Sequence, residues 1–244
     1  MPKIVGLIQA RMGSSRFPGK SLAPFPEMPL LDLFIKRIKQ SKKIDQLVLI
    51  SPSDAPNDVL GLYAKLNSIE FYNEHQDEND LVGRFYYSAK KYNADYIVRL
   101  CADNPFVHAS EVDRLVDAIS DRGDDFISNC TPQMGNGYPD GIGAEIFSLN
   151  NLEKVQTSVS NLYLREHVHL AFEESGNKIN FSTIPCPKEF SFPWMVLDVN
   201  TEVEYNFLLR LLKETGVDPF RFTVDQIAGW YRSNLNSIPE TYKR

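Results

Sequence analysis

Short apolar runs rich in β-branched residues alternate along this chain with segments whose apolar positions recur at helical spacing. The runs cover residues 4–8, 47–50, 69–72, 96–100 and 126–128. Between them Leu31, Phe34, Ile35 and Ile38 fall on one helical face, and Val112, Leu115, Val116 and Ile119 repeat the same i, i+3, i+4, i+7 pattern. Near-continuous apolar strands joined by amphipathic helices predict an α/β fold with a mostly parallel sheet buried on both faces. Such sheets bind ligands beyond the carboxyl ends of their strands, so functional residues are expected directly after strands. Past about Asn129 the alternation loosens into TPQMGNGYPDGIG, a turn-rich stretch without helical period. A strand over 144–147 follows, then a helix over 160–174, an extended run over 179–184, a proline-bounded segment over 185–193 and a strand over 194–199. A last helix places Val203, Phe207 and Leu211 on one face. The pattern reads as one domain over 1–244, with a first part of about 1–129, an insertion of about 130–193, and a return to the core sheet with C-terminal helices over about 194–244.

Composition narrows the class. A net charge of −6 is a poor match for a surface that neutralises nucleic-acid phosphates, although one local basic pocket is compatible with it. Cys101, Cys130 and Cys186 are odd in number and lack CxxC spacing, so they read as packing residues in a reducing compartment and not as a disulfide framework or structural zinc site. The start MPKIVGLIQARMGSS has no signal-peptide h-region, and no apolar run approaches the ~20 residues of a membrane span. The expectation is a cytoplasmic protein with no membrane and no nucleic-acid partner.

The segment Gln9-Ala10-Arg11-Met12-Gly13-Ser14-Ser15-Arg16-Phe17-Pro18-Gly19-Lys20 follows the first strand directly. Glycines allow backbone N–H groups close to phosphate oxygens, serines add donors, and Arg11, Arg16 and Lys20 supply positive charge, an inventory suited to a triphosphate. It is neither a GxxxxGK[ST] loop nor a GxGxxG fingerprint, so the chemistry points to phosphate without naming a reaction. Composition alone leaves a solvated basic turn open.

IQARMGSSRFPGKSLAPFPEMPLLDLFIKRI resembles the opening of the cytidylyltransferases related to the spore-coat polysaccharide protein SpsF, a group that includes the CMP-Kdo and CMP-sialic acid synthetases. DLVGRFYYSAKKY, ADYIVRLCADNPFV, YPDGIGAEIF, LREHV and VLDVNTEVEY carry the resemblance onward in order, over nearly the whole chain. It implies the nucleotide-diphospho-sugar transferase fold, a three-layer α/β/α Rossmann-like arrangement, with the nucleotide held by the N-terminal part and the acceptor by the insertion.

Asp103 stands just past the run 96–100, where a carboxylate projects into a strand-end crevice, and Asp198 ends a second apolar run. Magnesium needs only one or two carboxylates beside substrate phosphates. A turn before Asn104-Pro105 and a helix cap are the structural readings of the same residues, and the resemblance favours Mg²⁺ on both. It also places Arg84 near the nucleotide and Ser51 near the base, where an exposed helical arginine and an ordinary turn are the alternatives. Asp140, Glu145, Arg165 and His167 are the acceptor candidates, against local salt bridges and the turn signal YPDG. The implied reaction is attack by an acceptor oxygen on the α-phosphate of CTP with loss of pyrophosphate, with Arg11, Lys20 and Asp103 as catalytic residues. The acceptor would be an acidic sugar or a phosphorylated sugar or polyol. The rival is a glycosyltransferase of related fold, which would rely on a later DxD-type motif. Acceptor identity, strict base preference and oligomeric state, a homodimer included, stay open at this level.

Overall fold

In the computed structural model, which describes residues 1–122, 125–130 and 135–243, the central strand β1 (Ile4–Gln9) lies between β2 (Gln46–Ile50) and β4 (Tyr96–Cys101), both parallel to it. β3 (Glu70–Tyr72) extends the β2 side. On the β4 side, β6 (Glu145–Ser148) runs antiparallel to β4 and to β5 (Phe126–Ser128), and β7 (Phe181–Ser182) pairs parallel with β5. The sheet order is therefore β3-β2-β1-β4-β6-β5-β7. The chain leaves β1 toward β2 but leaves β4 toward the opposite edge. The adjacent carboxyl ends of β1 and β4 thus form a topological switch point, where an open α/β sheet presents a crevice.

Two-residue periodicity divides β1 and β4 between two cores. Ile4, Ile8, Val98 and Leu100 pack on one face with α1 (Leu30–Ile38), α2 (Asp58–Leu66), α4 (Ala109–Arg122), α8 (Glu202–Thr215) and α9 (Val224–Ser233). Val5, Leu7 and Ile97 pack on the other with α3 (Leu81–Lys91), α5 (Leu149–Ser158) and α7 (Val168–Glu173). This is the three-layer α/β/α arrangement. The register Leu7↔Arg99 and Gln9↔Cys101 continues the alternation, so Gln9, Arg99 and Cys101 belong to the α3 side of the sheet end.

The later half departs from the pattern reading in several places. The segment expected as an insertion contributes β6 and β7 to the sheet itself. Residues 131–134 of its turn-rich stretch lie outside the described residues. The helix expected over 160–174 is two short helices, α6 (Leu162–Glu166) and α7, because His167 leaves helical dihedrals at φ −115° and ψ 87°. Among the described residues 194–199 form no ladder: Trp194 lies in a turn, and Val196 makes an isolated bridge to Asp140. Their backbone is satisfied by loops instead: Leu197 N–H donates to Asp140 O and Val199 N–H to Asp103 O. In α8 the buried positions are Glu204, Phe207, Leu208, Leu211 and Leu212, while Val203 is 65% exposed. Glu204 turns back as the reciprocal partner of Thr201 in a capping box, which fixes the first turn with Val203 outward.

Candidate active site

The loops after β1 and β4 start from one sheet end: Ala10 N–H donates to Ile50 O, and Ala102 N–H to Gln9 O. The first loop then folds back on itself. Gly19 N–H donates to Met12 O from a left-handed conformation (φ 73°), a position that favours glycine. Met12 N–H donates to Asn57 Oδ1 at 2.8 Å, and Asn57 is held in turn by the Asp54 carboxylate. The Ser21 hydroxyl donates to Arg11 O. This folding lines a cleft with Gln9, Ala10, Arg11, Ser14, Ser15, Arg16, Lys20 and Ser21; the opposite wall is Arg84, Arg99, Cys101, Ala102, Asp103 and Asn200. Met12 packs against the core and Gly13 passes the Glu78 carboxylate; neither is among the lining residues.

Lys20 spans the cleft. Its Nζ donates to Asp103 Oδ2 at 3.0 Å and to Val199 O at 2.9 Å. Arg16 donates to Asn200 Oδ1, and Asn200 Nδ2 donates to Asp198 Oδ2. The turn at Asp103 and the segment 198–200 are thereby tied to the basic loop from opposite ends of the sequence. Arg11 makes a half-exposed pair with Glu78 at 2.9 Å. Arg84 differs from the exposed helical arginine considered above: it is 1% exposed, α3 being buried nearly all round. Its NH2 donates to the carbonyls of Asp77 and Glu78, and its Nε has no hydrogen-bond partner among the described residues. Burial, and then the nearby Arg11 charge, lower the Arg84 pKa from its ordinary value. An anion between the two guanidiniums would relieve their repulsion.

The acceptor candidates are dispersed. Asp140 is bridged to Val196 and sits beside the Asp198 segment; Gly141, at φ 94°, lets the two backbones meet, since a Cβ there would stand 2.6 Å from Asp198 N. Glu145 lies inside the sheet, 3% exposed, with its Oε2 accepting from Arg99 at 2.7 Å and His169 Nδ1 3.6 Å from its Oε1. Burial pushes the Glu145 carboxyl up, but Arg99 and then His169 outweigh this and hold it at about 2. Arg165 is placed away from the cleft, its guanidinium forked on Asp80 at 2.8 and 2.9 Å. Asp80 is the N-cap of α3 and also accepts from Gly83 N–H and contacts His75. His167 is exposed against the edge of Tyr163. Ser51 is fully buried beyond β2, its N–H on Tyr72 O and its Oγ without a partner among the described residues. Pattern reading passed over Arg99, Cys101, Asn200 and Ser21 as cleft residues. The available signal was Arg99, a charge inside the apolar run YIVRLC, which a sheet covered on both faces accommodates only beside a buried partner.

Among the described residues no group of three or more His, Cys, Asp and Glu side chains is gathered as an all-protein metal cage. A magnesium ion shared with substrate phosphates asks for less. The Lys20 ammonium already bridges the Asp103 carboxylate and the Val199 carbonyl, so a cation is accepted between these two segments. Asp103, with Asp198 one residue from that carbonyl, would hold the metal.

A seven-stranded α/β sheet with a basic loop and a carboxylate at its switch point defines the class: a nucleotidyltransferase-type fold. The cytidylyltransferase family model matches residues 5–227, and the chain belongs to that family, whose activity is CTP-dependent nucleotidyl transfer. The chain is 28% identical over 226 residues to the spore coat polysaccharide biosynthesis protein SpsF of Bacillus subtilis, covering 90% of each. It is 30% identical to a cytidylyltransferase from Leptospira borgpetersenii, with a TM-score of 0.85 over 98% of each chain. CMP:2-keto-3-deoxy-manno-octonic acid synthetase complexed with CTP shares the fold at a TM-score of 0.64 and 16% identity, over 87% of this chain and 99% of that one.

Proposed function

We propose that the cleft binds CTP with its triphosphate on the β1 loop and transfers CMP to an acidic sugar, or to a phosphorylated sugar or polyol, as a precursor of a surface polysaccharide. The observation that carries this reading is the Lys20–Asp103 contact at the β1/β4 switch point, surrounded by Arg11, Arg16 and Arg84. Three guanidiniums and an ammonium suit a triphosphate, whereas a nucleotide-sugar diphosphate needs fewer cations. An acceptor oxygen would form a bond to the α-phosphorus as the bond to the bridging oxygen of pyrophosphate breaks. Arg11 and Lys20 would offset the charge that accumulates on the departing pyrophosphate. Mg²⁺, held by Asp103 and Asp198, would supply Lewis-acid neutralisation of the phosphates. The kinship with SpsF and with 3-deoxy-manno-octulosonate cytidylyltransferases supports the acceptor class; one of the latter, from Bdellovibrio bacteriovorus, is 29% identical over 121 residues, 49% of this chain and 47% of its own. No described helix is long and apolar enough to cross a membrane.

The deciding measurement is pyrophosphate release with each nucleoside triphosphate against a panel of sugar acids and sugar or polyol phosphates, with product mass. Release that requires CTP and an anionic acceptor is expected. Consumption of a nucleotide-sugar with no use of CTP would establish the glycosyltransferase instead.

A further inference from the structure

Three residues lining the cleft each carry one buried polar atom: Gln9 and Arg99 on the α3 side of the sheet, and Arg84 of α3 itself. Gln9 Oε1, Arg84 Nε and Arg99 Nε are each shielded from solvent and without a hydrogen-bond partner among the described residues. Leaving a buried donor or acceptor unmatched is unfavourable, so such an atom at a site wall is one that a ligand can satisfy. Gln9 and Arg84 stand with the β1 loop and with Arg11, within the triphosphate's surroundings. Arg99 stands apart from them in one respect. It lies on the other side of the switch point, in β4, directly opposite Glu145 of β6. β6 belongs to the segment that follows the nucleotide-binding part, and the loop preceding it carries Asp140 and Gly141 against the Asp198 segment.

We propose that Arg99 is the specificity-determining residue that receives the anionic group of the acceptor, a carboxylate or a phosphate, while Glu145 is its positioning residue. This inference rests on the cytidylyl-transfer reading of the cleft. The geometry explains why the arginine is held as it is. Glu145 Oε2 takes Arg99 NH1 at 2.7 Å, which fixes one edge of the guanidinium. Glu145 is itself fixed from behind by His169 of α7 and by the Cys130 thiol, 3.7 Å from Oε1. A guanidinium anchored by one edge presents its remaining donors in a fixed plane, the arrangement that suits a planar carboxylate or a tetrahedral phosphate. Arg165 and His167 offer no such device, since Arg165 is consumed by Asp80 and His167 is exposed elsewhere. Discrimination follows from one buried atom: a neutral acceptor would leave Arg99 Nε unmatched, and a site that hydrogen-bonds a substrate group rejects the analogue lacking it strongly.

The test uses two variants. Arg99→Lys keeps a cation against Glu145, and the double variant Arg99→Gln/Glu145→Gln removes both charges, so neither leaves a buried carboxylate alone. Mg·CTP binding is followed by calorimetry. Pyrophosphate release is followed with 3-deoxy-manno-octulosonate, its neutral methyl ester and a hexose 1-phosphate. Loss of a charge-assisted hydrogen bond should raise the acceptor KM roughly ten- to hundredfold, with CTP affinity nearly unchanged. In the double variant the preference for the acid over its ester should collapse. Dependence on the octulosonate arm marks the anion as a carboxylate, and dependence on the sugar-phosphate arm marks it as a phosphate. An equal loss of CTP affinity would make Arg99 a nucleotide residue and overturn the proposal. So would an unchanged acceptor KM, or a wild-type protein that binds CTP and turns over neutral acceptors as well as anionic ones. A wild-type protein that binds no CTP overturns the underlying reading, and the inference with it.

Discussion

Lys20 concentrates the chemistry of the cleft at the scale of single residues, because one ammonium contacts both the Asp103 carboxylate and the Val199 carbonyl. Replacing it with alanine should lower turnover with CTP by on the order of a hundredfold, the cost typical of one transition-state charge contact, in a protein that still folds. Wild-type turnover in a folded Lys20→Ala would remove the triphosphate assignment. Asp103→Asn keeps the size and turn-forming ability of the side chain while removing its charge. Activity should fall strongly and recover only in part as magnesium is raised, with thermal stability little changed; loss of the fold would instead mark Asp103 as a structural turn residue. Glu145 carries a pH signature. Its carboxyl is lowered to about 2 from an ordinary 4.5, so the folded state favours the ionised form. The stability from this shift is complete above the ordinary value and is lost as pH falls from 4.5 toward 2. The difference in unfolding free energy between wild type and Glu145→Gln should therefore be large at neutral pH and narrow across that window.

Elements determine what those residues can reach. The N-terminus of α3 is clamped where Asp80 caps Gly83 N–H and takes both edges of the Arg165 fork, and Arg84 lies one residue beyond Gly83. Burial pushes the Asp80 carboxyl up, but His75, Arg165 and the Gly83 N–H outweigh it and hold it well below the usual carboxylate range. Arg165 is thereby tied to the N-terminus of α3, one turn from Arg84, and is expected to act on the nucleotide side of the cleft. Arg165→Ala should destabilise the fold by about 3–5 kcal/mol, as expected for breaking a largely buried pair, and should weaken CTP affinity more than it raises the acceptor KM. The opposite split, measured by calorimetry beside steady-state kinetics, would return Arg165 to the acceptor. The meeting of Gly141 with Leu197 and Asp198 is the second such element. A Cβ at Gly141 would fall 2.6 Å from backbone atoms of both residues at a φ of 94°, so Gly141→Ala must displace the Asp198 segment. Lower thermal stability together with a raised magnesium requirement is the expected result.

The whole molecule combines a net charge of −6 with a cleft in which cations converge. Ligand binding to such a cleft should be electrostatically driven and should stabilise the folded chain by mass action. Mg·CTP at about a hundred times its dissociation constant should add roughly 2.7 kcal/mol to the unfolding free energy, seen as a rise in melting temperature. That rise should shrink as salt is added, since exposed charges such as Arg11 are screened. A CTP-induced shift unaffected by salt would argue that the triphosphate is not the group being held.

How much of this was legible depends on the range of the interaction. Apolar periodicity is local, and it sufficed for the five strands from 4–8 to 126–128, for the buried faces of α1 and α4, and for the α/β class, because burying an amphipathic element leaves its period in the sequence. That the loop from Gln9 to Lys20 gathers at one place was legible for the same reason: its donors and charges are consecutive and follow β1 directly, and most of them line one cleft. What the sequence alone could not determine was partnership across the chain. Arg84 and Arg165 both occur in helical patterns, but whether an arginine faces water, a cap or a ligand depends on residues 85 positions away, such as Asp80 for Arg165. The run 194–199 has the apolar content of a strand, yet its backbone is satisfied by the loops at Asp103 and Asp140, a choice made by the tertiary arrangement. Arg99 shows the division within one residue: the sequence exposes it as a charge out of place in an apolar strand, and only the pairing of β4 with β6 supplies Glu145 as the reason it is stable there.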